Sequence, residues 1–238
     1  MLVIRTFKPE DLGALYAISL ATGHEGGNAS HLYSDPKLIG HIYSAPYALL
    51  EPRLALVVED DEGVAGFAVG TPDTGKWQET LEAEWWPKLR RQYADPTATP
   101  VTEWSADQRR AYAIHHPQHA PRQVVGLYPA HLHLNLLERI QGRGAGTTLF
   151  SEWTALASQQ GVGAAHVGVN SANARAVRFW SGQGFDRLKV DDASMTEPSG
   201  WDAPDPASQD WGTPAHRIAN GAPLITVGSG LNRPGMTR

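Results

Sequence analysis

The stretch from His131 to Gly146 constrains this chain more than any other. Polar and apolar residues alternate through His131-Leu132-His133-Leu134-Asn135-Leu136, a period of two that predicts a β-strand with the leucines on one face and His131, His133 and Asn135 on the other. The loop Gln141-Gly142-Arg143-Gly144-Ala145-Gly146 follows, and a helix is expected from Thr147 to about Gln160. Strand, glycine loop and helix in that order set free backbone N–H groups at the positive end of a helix dipole, which suits a phosphate. The loop lacks the Lys-Ser/Thr pair of a P-loop, and no acid lies about twenty residues downstream to take a dinucleotide ribose, so those two readings are weak. Glycines that merely allow a tight strand-to-helix turn are the structural alternative.

The rest of the chain alternates strands and helices around this unit. Leu2–Arg5 reads as a strand, and Pro9-Glu10-Asp11 opens a helix that runs to about Gly23. Asp35-Pro36 caps a second helix carrying Leu38, Ile39, Ile42 and Tyr43. Residues 54–59 and 64–70, joined by Asp60-Asp61-Glu62-Gly63, form a β-hairpin. Residues 164–169 predict a strand, 173–181 a helix, 185–190 a strand and 224–228 a last strand. Residues 71–123 depart from this rhythm, with helices near Trp77–Tyr93 and Ser105–Ile114 separated by Pro and Thr. Leu81, Trp85, Trp86 and Leu89 give that segment an apolar face that must bury, so it reads as an insertion in one domain of residues 1–238. Residues 191–221 read as a second, irregular insertion.

Composition narrows the function. Of 238 residues 41% are hydrophobic and 19% charged, a balance able to form a core. A net charge of −5 offers no general attraction to nucleic acid or to a membrane surface, and the absence of cysteine excludes disulfides and thiolate chemistry. No apolar run is long enough to span a bilayer and no signal-peptide core opens the sequence, so a cytoplasmic location is expected.

Gln141 with Gly144 and Gly146 resembles the Q/R-x-x-G-x-G/A signature of the GNAT N-acetyltransferase superfamily. About thirty residues on, Asn173, Ala176, Phe179, Trp180, Gly184 and Phe185 resemble that superfamily's second signature, in order. Residues 31–47 and 128–146 are further similar to the acetyltransferase-like domain of O-GlcNAcases and its free-standing bacterial relatives; with no glycosidase region in the sequence, a stand-alone member is expected. The resemblance implies an α/β (α+β) GNAT fold, a mixed and mainly antiparallel sheet with helices on both faces. It implies acetyl-CoA as cosubstrate, held by Leu136 and Leu137 through their backbone and by Gln141, Gly142, Arg143, Gly144, Ala145, Gly146, Thr147, Asn173 and Phe179, with transfer to an amine of a small molecule or protein.

Two departures bear on catalysis. The superfamily's Tyr acid is matched by Trp180, whose N–H is not acidic enough to supply a proton. The usual Glu base falls at Ala130, which leaves His133 as the candidate base and Asn135 beside it. Their loss favours the alternative, a non-catalytic acetyl-CoA- or acceptor-binding pseudo-acetyltransferase. Tyr33, Asp35, His41, Tyr43, Tyr128 and His131 are candidates for the acceptor pocket. His115, His116 and His119 surround Pro117, which breaks the helix needed to align them, so no metal is expected. Six of eight tryptophans fall in the two insertions, Trp77, Trp85, Trp86 and Trp104 in the first and Trp201 and Trp211 in the second. That distribution predicts extra length packed over the acceptor side as a lid, or a homodimer surface.

Overall fold

A computed structural model of the chain describes residues 1–188 and 225–230. Trp201, Trp211, residues 189 and 190 and the loop 191–221 lie outside them. Seven strands form one sheet in the order β1-β2-β3-β4-β5-β7-β6. They are β1 (Val3–Thr6), β2 (Ala55–Asp60), β3 (Gly63–Thr71), β4 (Ala130–Leu136), β5 (Ala164–Val169), β6 (Asp186–Leu188) and β7 (Ile225–Gly230). Neighbours are antiparallel except β4 and β5, which run parallel and pair only at Ala130↔Ala165 and His131↔His166. Both strands continue for several residues past that point without pairing, so the sheet forks.

Each face of the sheet carries its own core. On one, Leu149, Phe150 and Trp153 of α8 (Ala145–Gln159) and Trp180 of α9 (Ala174–Gly182) pack on Leu56, Val58, Ala68, Leu132 and Val167. On the other, Val57, Phe67 and Val69 meet α1 (Leu12–Ala21), α2 (Leu38–Tyr43), α3 (Ala45–Leu50) and the helices of the 71–123 segment. The alternation that sends Leu132 to the first core sends its neighbours His131 and His133 to the second. At the outer edge Arg5 joins β1 to β2 and to the start of α1, donating to both Asp11 oxygens at 2.7 and 2.9 Å and to Glu59. That guanidinium holds the Asp11 carboxyl below its ordinary range.

The segment after β3 is helical along most of its length. Asp73 caps α4 (Thr74–Thr80) by accepting from the Lys76 N–H, and a π-helical turn at Leu81–Trp85 carries the chain into α5 (Trp86–Arg90). Ser105 and Gln108 form a capping box on α6 (Ala106–His115). Two elements escape the sequence reading. Residues 38–50 make two helices, because Ser44 leaves helical geometry before Ala45-Pro46 starts the next turn. Arg122–Leu127 forms α7, with Pro121 just ahead of its first turn. Among the described residues no helix is long and apolar enough to cross a membrane.

Candidate active site

The fork between β4 and β5 opens into a cavity of about 300 Å³ on the face covered by α1–α7. Its floor is His131, His133 and Asn135 of β4 with His166, Gly168 and Asn170 at and beyond β5. Tyr43, Tyr47, Trp77 and Trp86 form aromatic walls, and Pro117 and Pro121 close the side between α6 and α7. Two of the four tryptophans in the first insertion are therefore wall residues. Trp85 donates to the His41 carbonyl at 2.8 Å, and Trp104 packs on Tyr112 with ring centroids 4.9 Å apart.

A chain of hydrogen bonds crosses the floor, and its proton positions follow from donor and acceptor counting. Thr74 Oγ1 lies 2.7 Å from the Pro129 carbonyl, which can only accept, so the hydroxyl proton goes there. The same oxygen lies 2.7 Å from His131 Nδ1, so Nδ1 is the protonated nitrogen and donates to it. His131 Nε2 then holds a lone pair and accepts the Tyr47 hydroxyl proton at 2.7 Å. With that proton committed, the 3.2 Å contact between His133 Nε2 and Tyr47 Oη is a donation from His133. His133 is thereby fixed as the Nε2–H tautomer, and its basic lone pair sits on Nδ1. Asn135 Nδ2 donates to Thr22 Oγ1 at 2.7 Å, tying β4 to the end of α1.

Burial holds all three floor histidines neutral. It pushes His133 down to about 4, His131 well below the ordinary value, and His166 down as well; neighbouring imidazoles add to the push on His131 and His133. An imidazole whose folded pKa is depressed gives its full stability above the unfolded value of about 6.5 and loses it as pH falls toward the folded value. The unfolding free energy from urea titration should therefore drop between pH 6.5 and 5, above the carboxylate range, by about 1–2 kcal/mol for His133 alone. His133→Phe should flatten that pH dependence; an equally steep wild-type and variant profile would show that His133 titrates normally.

On the far side of the fork lies the glycine loop. Gly142 and Gly144 have φ of 71° and 80°, values suited to glycine, and Gly144 precedes α8 without any side-chain cap, leaving the first-turn N–H groups of a 15-residue helix open. A Cβ at Gly146 would lie 3.1 Å from the Phe179 ring and 3.3 Å from Leu136, so glycine lets α8 lie close against β4 without pushing either side chain back. Gln141 is braced from both ends: its Nε2 donates to the Leu136 carbonyl at 2.7 Å and its Oε1 accepts from Arg175, which also donates to the Gly26 carbonyl. Arg143 and Thr147 are exposed beside the loop and Ala145 is buried beneath it.

The remaining residues singled out from the sequence scatter. Tyr43 lines the cavity and accepts from Arg110. Tyr33 accepts from Arg110 Nε at 3.1 Å, Asp35 accepts from Tyr93 at 2.6 Å, and His41 Nδ1 pairs with Tyr16 at 2.9 Å, all outside the cavity lining. Tyr128 contributes its carbonyl, which accepts from His166 Nδ1 at 2.7 Å. Asn173 Oδ1 caps α9 through the Ala176 N–H. Trp180 stands 6% exposed among Phe150, Phe179 and Phe185, in the core and not on the cavity. The Leu137 N–H donates to the Ala65 carbonyl at 2.8 Å and the Leu136 carbonyl is taken by Gln141, so these two groups face β3 and the loop and leave the fork edge to other backbone atoms. His115 and His116 pair with the Tyr93 carbonyl and Asp95. Sequence reasoning missed Tyr47, Thr74 and His166. Only His166, opposite His131 in a strand of alternating pattern, carried a readable signal.

The fold and the fork together define a class: the chain has the fold of the GNAT N-acetyltransferases. Within it the chain is similar to SsHAT, whose solved structure superposes with a TM-score of 0.76 at 29% identity, covering 98% of this chain and 99% of that one. PaiA N-acetyltransferase from Thermoplasma acidophilum, solved in complex with coenzyme A, shares the fold at 14% identity and a TM-score of 0.50 over 97% of this chain and 99% of that one. The O-GlcNAcase of Rattus norvegicus is 22% identical over 190 residues, 79% of this chain and 20% of the relative, so the chain spans about a fifth of the length of the curated relatives it matches. No protein-family model matches the chain.

Proposed function

We propose that the protein is an acetyl-CoA-dependent N-acetyltransferase. The observation that carries this reading is the fork, which joins an uncapped helix N-terminus on one side to a cavity with a neutral imidazole on the other. The pyrophosphate would lie on the N–H groups after Gly144, where the α8 dipole favours negative charge. The pantetheine arm would pass between β4 and β5, whose unpaired backbone edges offer hydrogen bonds to its amides. The acetyl carbon would then face an amine held in the cavity. The amine nitrogen attacks the thioester carbonyl, the C–N bond forms and the C–S bond breaks. His133 Nδ1 takes the nitrogen's proton, and the resulting imidazolium returns it to the departing thiolate. Trp180 has no part in this, since it is neither acidic nor on the cavity. Most of the rate would come from positioning and from backbone donors at the carbonyl oxygen.

Calorimetric titration with acetyl-CoA followed by thiol release with a panel of amines tests the reading. Saturable binding with amine-dependent release is the expected result. Binding without release makes the protein a non-catalytic acetyl-CoA module, and no binding overturns both.

A further inference from the structure

The cavity walls say what kind of amine can enter. Among the described lining residues there is no Asp, Glu, Lys or Arg. The polar groups on the floor are neutral and largely committed to one another, and the walls are flat rings, with Tyr47 and Trp77 stacked 4.4 Å apart. The carboxylate that reaches a lining residue is Asp95, and it is engaged by the half-exposed His116. An ammonium group entering such a space loses its water and gains no counter-charge from the described lining residues, which is strongly unfavourable. It would have to shed its proton first, and at pH 7 only roughly one alkylamine in two thousand is neutral. An amine conjugated to an aromatic ring is already uncharged at that pH and presents a face that fits the walls. The Trp77 ring N–H is shut inside the wall against Tyr47 and does not open onto the cavity.

We infer that the acceptor is a neutral aromatic amine, and not the ammonium of a lysine or an alkylamine. This rests on the acetyltransferase reading for the reaction, though not for the binding. The volume of about 300 Å³ admits a one- or two-ring molecule. An arylamine is a poor proton acceptor but its nitrogen becomes acidic once it has attacked the thioester. A weakly basic imidazole can remove the proton at that stage, which suits a His133 held neutral by burial.

The test uses the whole chain at pH 7 and four probes: 4-aminobenzamide, aniline, benzylamine and N-acetyl-lysine amide. Binding is read without acetyl-CoA by calorimetry, and transfer is read with acetyl-CoA as thiol release. 4-Aminobenzamide should bind at least about 10-fold tighter than benzylamine, which has the ring but a cationic nitrogen, and benzylamine should gain as pH rises toward its neutral form. Aniline, also uncharged at pH 7, should likewise bind more tightly than benzylamine at that pH. If benzylamine or N-acetyl-lysine amide binds as tightly at pH 7, or if no probe binds, the inference is wrong. If an alkylamine is acetylated and 4-aminobenzamide is not, the inference falls and the acetyltransferase reading stands. If 4-aminobenzamide binds selectively but releases no thiol, the cavity inference stands and the acetyltransferase reading falls.

Discussion

His133→Ala should lower amine-dependent thiol release by about 10²–10⁴-fold while leaving acetyl-CoA affinity unchanged. The argument rests on the direction of the floor's hydrogen bonds. Thr74 and Pro129 fix the tautomer of His131, His131 fixes the Tyr47 proton, and Tyr47 fixes His133 with its lone pair on Nδ1. His131 uses both of its nitrogens, while His166, which donates Nδ1–H to the Tyr128 carbonyl, keeps a lone pair on Nε2, so His166→Ala is the control and should cost less turnover than His133→Ala. Acetyl-CoA, whose proposed anchor is the glycine loop, should not sense the loss. Tyr47→Phe probes the same chain one step back. It removes the acceptor that holds His133 Nε2–H and the donor to His131 Nε2, so the tautomer preference of His133 relaxes. Turnover should fall by about 10-fold, in kcat more than in KM, and the pH profile should shift to lower pH as His133, without an acceptor for its Nε2–H, becomes harder to protonate. Turnover within twofold of wild type for His133→Ala would remove His133 from the chemistry, whatever Tyr47→Phe does.

The strand at 130–136 and the glycine loop after it were readable because their signals are local. Side-chain alternation and positive-φ glycines belong to a few consecutive residues and need no knowledge of what packs on them. The same alternation placed His131, His133 and Asn135 on one face, and they do line the cavity together. What completes the site is not local. Tyr47 stands 84 residues from the imidazole it serves and Thr74 stands 57, and both sit on helices whose turns look like ordinary amphipathic packing. Asp35 and His41 illustrate the opposite failure. Their types suggest a pocket, yet Asp35 is claimed by Tyr93, 58 residues downstream, and His41 by Tyr16. Polar side chains near a cleft are as readily taken by structure as by ligand, and only the three-dimensional pairing decides which. Trp180 is different again: a signature position fixes where a residue falls in the chain and not what packs around it, and here Phe150, Phe179 and Phe185 enclose the indole.

Trp153→Ala should lower stability by about 3–5 kcal/mol and the melting temperature by roughly 10 °C, the largest single effect expected in the fold. The indole is fully buried between α8 and the sheet, and its Nε1 donates to the Leu54 carbonyl at 3.1 Å, so truncation leaves both a large cavity and an unpaired carbonyl. There is room for the ring because Gly70 of β3 has no side chain: a Cβ there would lie 2.6 Å from Trp153 Cζ2, 2.9 Å from Leu132 Cβ and against the His131 carbonyl. Gly70→Ala should therefore destabilise by about 1–3 kcal/mol by overpacking, and it should do so less in a Trp153→Leu background, with a coupling of about 1 kcal/mol in urea denaturation. Strict additivity would mean that the backbone contacts alone require glycine. The coupling bears on function as well as folding. The atoms that a Gly70 side chain would displace belong to His131 and Leu132, the residues at which β4 leaves β5, so Gly70→Ala should also lower thiol release by more than its stability loss accounts for, because the His131–Tyr47–His133 chain is positioned by that stretch of backbone.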